Sequence, residues 1–259
     1  MKRQAISLSR AVVIIPARWG ATRFPGKVLA DVAGKPLVQR IIAVCRASRM
    51  VDEVIVATDD RRVFDAALEA DACAVMTSPR LRSGSDRVAV VARTLDAEII
   101  VNVQGDEYFD DPRLLGRLVS ALQKDPSLRM ATPVRPVDAE EARDPHLVKV
   151  VCDQQGNALY FSRLPIPFHR DARTRTNHLG HIGIYAFRRT ALLEFAEQMK
   201  TPLERAEHLE QLRILECGGK IRVIVTNRLT VGVDTPADLR KLRALVKAKR
   251  LRLWGERDD

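Results

Sequence analysis

Four consecutive β-branched residues, Val12-Val13-Ile14-Ile15, stop at Pro16 and run directly into Ala17-Arg18-Trp19-Gly20-Ala21-Thr22-Arg23-Phe24-Pro25-Gly26-Lys27. An unbroken apolar run of this kind suits a parallel strand covered on both faces, because a strand with one wet face alternates instead. Parallel neighbours need crossover connections, so the run predicts an α/β chain in which strands and helices take turns. It also places Arg18, Arg23 and Lys27 beyond the carboxyl end of a buried strand, where open α/β sheets bind ligands.

The same layout recurs. Val54-Ile55-Val56-Ala57-Thr58 ends at Asp59-Asp60, and Ile99-Ile100-Val101-Asn102-Val103-Gln104 ends at Gly105-Asp106-Glu107. Helical spacing fills residues 36–49, 63–70 and 86–95, with a short strand at Ala74-Val75-Met76. The first 125 residues therefore predict a doubly wound, mostly parallel sheet with right-handed crossovers. Residues 130–187 differ: Val148-Lys149-Val150-Val151 and Ala158-Leu159-Tyr160-Phe161 are β-rich segments among Gly-, Pro- and Arg-rich loops, an insertion or a dimer arm. Residues 204–217 read as one helix and 221–225 as a strand. Gly232-Val233-Asp234-Thr235-Pro236 then introduces a last helix with Asp234 or Thr235 as its cap. With no internal repeat or low-complexity linker, the expectation is a single domain over 1–259 with 130–187 as a sub-domain.

Composition narrows the function. A chain of 259 residues, 46% of them hydrophobic, can bury one sizeable core. Cys45, Cys73, Cys152 and Cys217 form no C-x-x-C pair, which argues against a zinc site or disulfide frame and favours a reducing cytosol. The apolar run after Lys2-Arg3 is broken by Ser7, Ser9 and Arg10, unlike a secretion signal, and no stretch is long enough to span a membrane. The formal charge of +10 admits nucleic acid, a membrane surface or small polyanions as partners. Much of the excess lies in residues 240–252, an amphipathic helix with Leu239, Leu242 and Val246 on one face and few aromatics for base stacking. The expectation is a solvated helix face, with neither nucleic acid nor membrane as partner.

In the first loop, Gly20 and Gly26 beside Arg18, Arg23 and Lys27 can bring backbone amides and fixed cations around a polyphosphate; the alternative is a basic surface turn. Neither G-x-x-x-x-G-K-[ST] nor G-x-G-x-x-G is present. Asp106 and Asp234, each after an apolar strand, could hold Mg²⁺ against triphosphate oxygens, although Asp234 could equally be a helix cap and Asp59 the start of a helix. Leu81-Arg82-Ser83-Gly84-Ser85-Asp86-Arg87 puts small residues before a helix, able to read a base edge while Arg87 faces an anion; alone it is only a loop. His181 on a strand is a structural group or a ligand. Arg163, with no adjacent acid in sequence, suits a bidentate grip on a substrate carboxylate, or braces the β-rich segment.

Taken in order, these motifs resemble those of the 3-deoxy-manno-octulosonate (KDO) cytidylyltransferases, the CMP-KDO synthetases. The likeness continues through Val148-Lys149-Val150-Val151, Ala158 to Arg163, Gly183-Ile184-Tyr185, Leu209-Glu210-Gln211-Leu212-Arg213 and Gly232 to Pro236, so it spans most of the chain. It implies a nucleotide-diphospho-sugar transferase-like fold, a cytoplasmic homodimer and the reaction CTP + KDO → CMP-KDO + diphosphate, for lipopolysaccharide biosynthesis. It further implies Mg²⁺ on Asp106 and Asp234, with Arg18 and Lys27 sharing the catalytic work. Arg23, Thr58, Asp59, Ser83, Gly84 and Arg87 would join Arg18 and Lys27 around CTP. Gln104, Arg163, His181, Tyr185, Glu210 and Gln211 would form the sugar-acid pocket.

The sequence departs from that family's usual motifs at Ala21 (Ser), Val28 (Pro), Leu81 (His), Ser85 (Thr) and Tyr108 (Pro). None of these removes a cation or an implied metal ligand. They leave the acceptor open to 8-amino-8-deoxy-KDO or a neuraminate-type acid, although the first loop of the neuraminate enzymes reads more like Arg-Gly-Gly-Ser-Lys. A different class remains as an alternative: a catalytically silent basic protein binding nucleic acid or an anionic membrane.

Overall fold

Burial on both faces marks β1 (Ala11–Pro16) as an interior strand of the sheet: all six of its residues are buried. The computed structural model describes residues 10–20, 23–81, 83–171 and 177–255, so Ala21, Thr22 and Arg82 of the motifs above lie outside the described residues. A hairpin of β2 (Asp31–Val32) and β3 (Lys35–Pro36) leads into α1 (Leu37–Arg46) and then β4 (Glu53–Thr58). α2 (Arg61–Glu69) precedes β5 (Cys73–Met76), and α3 (Gly84–Ala92) precedes β6 (Ile99–Val103). Strands β5, β4, β1 and β6 lie side by side and parallel, with Val13 between Val54 and Val101.

Next come β7 (Glu107–Phe109), α4 (Arg113–Lys124), β8 (Leu128–Val137), β9 (Lys149–Cys152), β10 (Ala158–Ser162), β11 (His178–His181) and β12 (Ile184–Arg188). They are followed by α5 (Arg189–Glu197), α6 (Pro202–Glu207), α7 (Leu212–Glu216), β13 (Lys220–Val225), β14 (Thr230–Gly232) and α8 (Pro236–Lys247). β12 pairs antiparallel with β6, and the ten-stranded sheet runs β10-β9-β11-β8-β12-β6-β1-β4-β5 with β13 parallel to β8. The strands of residues 130–187 thus extend the central sheet as its antiparallel half.

Alternation along the strands feeds two cores. Val13, Ile15, Val54, Val56 and Val101 face α1, α2, α4 and α8, while Val12, Ile14, Ile55 and Ile100 face α3, α5 and α7. Because both faces are covered, truncating fully buried Ile14 or Ile15 to Ala should cost roughly 2–5 kcal/mol, the range for deleting a buried aliphatic side chain.

Two helices differ from the sequence expectation. Residues 204–217 are broken into α6 and α7 because His208 adopts φ 54°, a left-handed conformation that ends the first helix. The terminal helix stops at Lys247, short of residue 252; beyond it Leu251 turns back into the core.

Candidate active site

Parallel strands end on one edge, so their following loops converge. The strand order reverses between β1 and β6, and there Gly105 N donates to Pro16 O (3.2 Å). A Cβ on Gly105 would lie 3.0 Å from both Pro16 O and Ala17 Cβ, so glycine lets the two loops touch. Asp234 arrives from the far end of the sequence through β14, which pairs with β7: Gly232 faces Glu107, and Val233 N donates to Asp106 O (2.8 Å).

The cap of α8 is Thr235, not Asp234. Thr235 Oγ1 accepts from Asp238 N (3.3 Å), and Asp238 Oδ2 accepts from Thr235 N (2.8 Å), a reciprocal capping box with Pro236 at the first helical position. The Asp234 carboxylate instead accepts from Lys27 Nζ (2.7 Å) and Arg23 Nη2 (2.9 Å), and Lys27 also pairs with Asp106. Burial alone would lower the Lys27 pKa, but Asp106 and then Asp234 outweigh it and hold the ammonium above its ordinary value. Partial burial likewise opposes ionisation of Asp234, yet Lys27 and Arg23 keep its carboxyl below the usual range.

A cleft of about 200 Å³ opens here, lined by Arg18, Lys27, Ser83, Gly84, Arg87, Gln104, Asp106 and Asp234, with Val28 and Leu81 on its apolar side. Ser83 caps α3 by accepting from Asp86 N (3.1 Å), which brings the amide end of that helix to the cleft. Arg87 is buried, its guanidinium held by Asp59 (2.9 Å) and by Thr77, whose hydroxyl donates to Thr58 O (2.9 Å). Thr58 and Asp59 therefore stand behind the cleft and reach it through Arg87. Asp60, not Asp59, starts α2, by accepting from Arg62 N (2.9 Å).

Of the implied sugar residues, His181, Tyr185, Glu210 and Gln211 form a second group beside the first. Gln104 joins the two: its Nε2 donates to Asn102 Oδ1 (3.0 Å), and its side chain lies against Gly84 and Gly183. Glu210 and Gln211 occupy the break between α6 and α7 and border a narrow cavity with Ser85 and Tyr185, where Gln211 Nε2 is buried without a partner among the described residues. His181 lies beside Tyr185, ring centroids 5.3 Å apart. Because the Thr132 hydroxyl donates to Ile184 O (2.8 Å), it accepts from His181 Nε2 (2.8 Å), which assigns that tautomer. Burial pushes the His181 pKa down to about 3, keeping the ring neutral, and burial with Glu210 and Glu107 pushes the Tyr185 phenol up.

Arg163 borders neither cavity. Sequence gives it no neighbouring acid, but in space Glu207 accepts from its backbone N (3.0 Å) and, through the Glu207 carbonyl, from its Nε (2.8 Å); Nη1 donates to Pro145 O (3.0 Å). Glu207 lies 44 positions away in sequence, and no local pattern announces it.

Two further residues escaped the sequence reading although signals existed. Asn102 is a fully buried amide in an otherwise apolar strand, and its Nδ2 has no partner among the described residues. Glu107, next to Asp106, has its carboxyl pushed up to about 7 by burial, then by the charges of Asp106 and Asp234. Tyr108 is wholly buried and its hydroxyl donates to Arg252 O (2.5 Å), so its ring does not form the floor of the cleft.

Known proteins resemble this chain over most of its length. Residues 12–221 match the cytidylyltransferase family. The chain is 48% identical over 241 residues to the 3-deoxy-manno-octulosonate cytidylyltransferase of Myxococcus xanthus, covering 93% of this chain and 98% of that protein. It is 46% identical over 247 residues to the enzyme of the same name from Trichlorobacter lovleyi, covering 91% and 98%. A solved structure of CMP:2-keto-3-deoxy-manno-octonic acid synthetase complexed with CTP superposes with a TM-score of 0.89 at 42% identity, covering 93% of this chain and all 100% of that one. At this identity and over this length, the chain belongs to the cytidylyltransferase family, among the 3-deoxy-manno-octulosonate cytidylyltransferases.

Proposed function

We propose that the chain transfers CMP from CTP to the anomeric hydroxyl of KDO and releases diphosphate. The observation that carries this reading is the Lys27 ammonium shared by Asp106 and Asp234 at a cleft that Arg18, Arg87 and the start of α3 also border. In it, Arg18, Arg23 and Lys27 neutralise the triphosphate and stabilise the charge that grows on the leaving diphosphate. The anomeric hydroxyl gives up its proton to solvent and its oxygen bonds the α-phosphorus as the bond to the bridging oxygen breaks and diphosphate leaves, and holding both reactants in line accounts for most of the acceleration. Ser83, Gly84 and Arg87 sit where α3 begins and serve the base, with Thr58 and Asp59 fixing Arg87.

Asp106 and Asp234 present hard oxygen donors to one cleft with Glu107 behind them, a donor set that fits Mg²⁺. Among the described residues no three such side chains form a complete cage, so phosphate oxygens and water would fill the remaining positions. Bound there, Mg²⁺ supplies Lewis-acid polarisation of the α-phosphate. On the acceptor side, neutral His181, Tyr185, Glu210 and the unpartnered amide of Gln211 offer polar atoms to hydroxyls. The Nη groups of Arg163 that remain after its contact with Pro145 grip the carboxylate end-on.

The homodimer and a cytoplasmic location belong to the same proposal. Within residues 130–187, Phe168 and Leu164 are 86% and 71% exposed, apolar surface that a second copy would cover. No helix among the described residues is long and apolar enough to cross a membrane.

The decisive experiment is diphosphate release with CTP and a panel of KDO, 8-amino-8-deoxy-KDO and N-acetylneuraminate. Release with KDO supports the assignment. Release only with another acid overturns the acceptor, and none with any acid, together with salt-dependent binding to DNA or anionic vesicles, overturns the transfer itself.

A further inference from the structure

The three cations of the first loop are held differently. Lys27 and Arg23 are fixed by Asp106 and Asp234, whereas exposed Arg18 has no ion-pair or hydrogen-bond partner among the described residues. Like charges converging on one cleft repel, so the placement of Arg18 depends on the backbone of its neighbour, Trp19.

Trp19 is anchored by three layers. Its carbonyl accepts from Gly26 N (3.0 Å), closing the loop immediately before Lys27. Its indole lies on Gly26, where φ is +72° and a Cβ would come 2.6 Å from Trp19 Cη2, so glycine is needed for both conformation and space. The outer layer comes from α2: Arg62 Cζ is 3.4 Å from the Trp19 ring centroid, well within cation–π range. Arg62 is itself pinned by Asp60, Nε to Oδ1 at 2.9 Å and Nη2 to Oδ2 at 2.7 Å, the same carboxylate that caps α2.

We infer that Trp19 and Arg62 are positioning residues for the triphosphate loop. The start of α2 clamps the indole, the indole clamps Gly26, and the clamped backbone keeps Arg18 and Lys27 on one side of the cleft. This rests on the nucleotide reading of that cleft. Arg62 acts through Trp19 rather than on phosphate, since its guanidinium is committed to the Asp60 carboxylate and the indole. Losing Arg62 should therefore matter only while Trp19 is present.

Turnover of the wild-type chain with CTP and KDO is measured first, and decides the parent reading by itself. CTP affinity by calorimetry, the KM for each substrate and the thermal midpoint are then compared for Arg62→Ala, Trp19→Ala, the double variant and Trp19→Phe. Arg62→Ala keeps the backbone cap of α2 and should weaken CTP binding roughly two- to fivefold, the scale of an exposed cation–π contact, with the KDO KM unmoved. Trp19→Ala should weaken it more, Arg62→Ala should add nothing in that background, and Trp19→Phe, which keeps a ring under the guanidinium, should recover most of the affinity. An undiminished Arg62→Ala effect without Trp19 would show charge acting directly on the nucleotide and overturn the clip. So would unchanged CTP affinity in both single variants, or a joint rise of both KM values with a falling thermal midpoint. Calorimetry reads these outcomes whichever acid proves to be the acceptor.

Discussion

Asp234→Asn separates the two roles that the sequence allows this residue. The substitution leaves volume nearly unchanged and does not touch Thr235, Asp238 or Pro236, so α8 keeps its capping box. What it removes are the ion pairs to Lys27 and Arg23, at 2.7 and 2.9 Å. The Asp234 side chain is 50% exposed, so solvent screens these pairs and their loss should cost about 1 kcal/mol or less. Lys27 keeps Asp106 as a partner. In a chain of 259 residues that corresponds to about 2 °C or less in Tm. Turnover should fall far more, by roughly 10²–10³, the loss typical when one preorganised electrostatic group is removed from a reacting centre.

Thr235→Ala should do the reverse, lowering stability by about 1 kcal/mol through the lost cap while turnover stays within a few-fold. Diphosphate release at saturating Mg²⁺ and thermal unfolding read both quantities. Near-wild-type turnover in Asp234→Asn, or an equal loss of turnover in Thr235→Ala, would refute the reasoning. The sign of the pH dependence gives a second check. Partial burial opposes ionisation but Lys27 and Arg23 depress the native pKa, so the contribution of Asp234 is present above the unfolded carboxylate range and lost as pH falls through the native value. The stability gap between wild type and variant should therefore close in acid.

Asp106→Asn should also lose turnover by roughly 10² or more without unfolding, because Lys27 retains Asp234; near-normal rates at saturating Mg²⁺ would remove Asp106 from the site. Arg163→Lys should raise the KM for the sugar about tenfold or more while that for CTP stays put; a joint rise with a lower Tm would mark Arg163 as a brace for Glu207 and Pro145. Burial holds the native His181 pKa near 3 against an ordinary 6.5, so the unfolded chain binds a proton across that window that the native state refuses. Stability should fall as pH drops through it, and subtracting the profile of His181→Gln should isolate that slope; identical profiles would place the ring in water. Light scattering at micromolar concentration should give twice the chain mass, and a monomer would leave Phe168 and Leu164 without the proposed cover.

The parallel half of the fold was legible because β1, β4 and β6 are covered twice, and double burial leaves an unbroken apolar run such as Val12 to Ile15. Convergence of the loops after β1, β4 and β6 follows from that half alone. The antiparallel half was harder to read: β8 contacts β11, β12 and β13, and none of those pairings is encoded by adjacency. The break at His208 was hidden because Leu209, Leu212 and Ile214 are all buried, so apolar spacing continues across a point where the backbone turns left-handed. The same distance problem concealed Glu207 behind Arg163 and the β7–β14 ladder that carries Asp234 to Asp106.

The division of the sheet bears on how acceptor choice can vary without loss of the chemistry. Every cation and carboxylate proposed for the triphosphate and metal follows β1, β6 or β14, whereas His181, Tyr185 and Arg163 lie on or directly after the antiparallel strands β11, β12 and β10. The two sets meet at one seam, where β12 pairs with β6 and Tyr185 faces Asn102. Gln104 stands just beyond that seam, bonded to Asn102 and lying against Gly84 of the nucleotide side and Gly183 of the sugar side. A Cβ on Gly84 would come 2.9 Å from Gln104 Oε1 and push that amide aside, whereas one on Gly183 would meet Gln104 only at 3.7 Å. Of the unusual residues, Val28 and Leu81 border the cleft on the nucleotide side, Ser85 borders the cavity of Tyr185, Glu210 and Gln211, and Tyr108 is buried away from the cleft. In the proposed reading Val28 and Leu81 tune CTP affinity, and a change of acceptor would have to come from Ser85, from β10 to β12 or from the α6–α7 break.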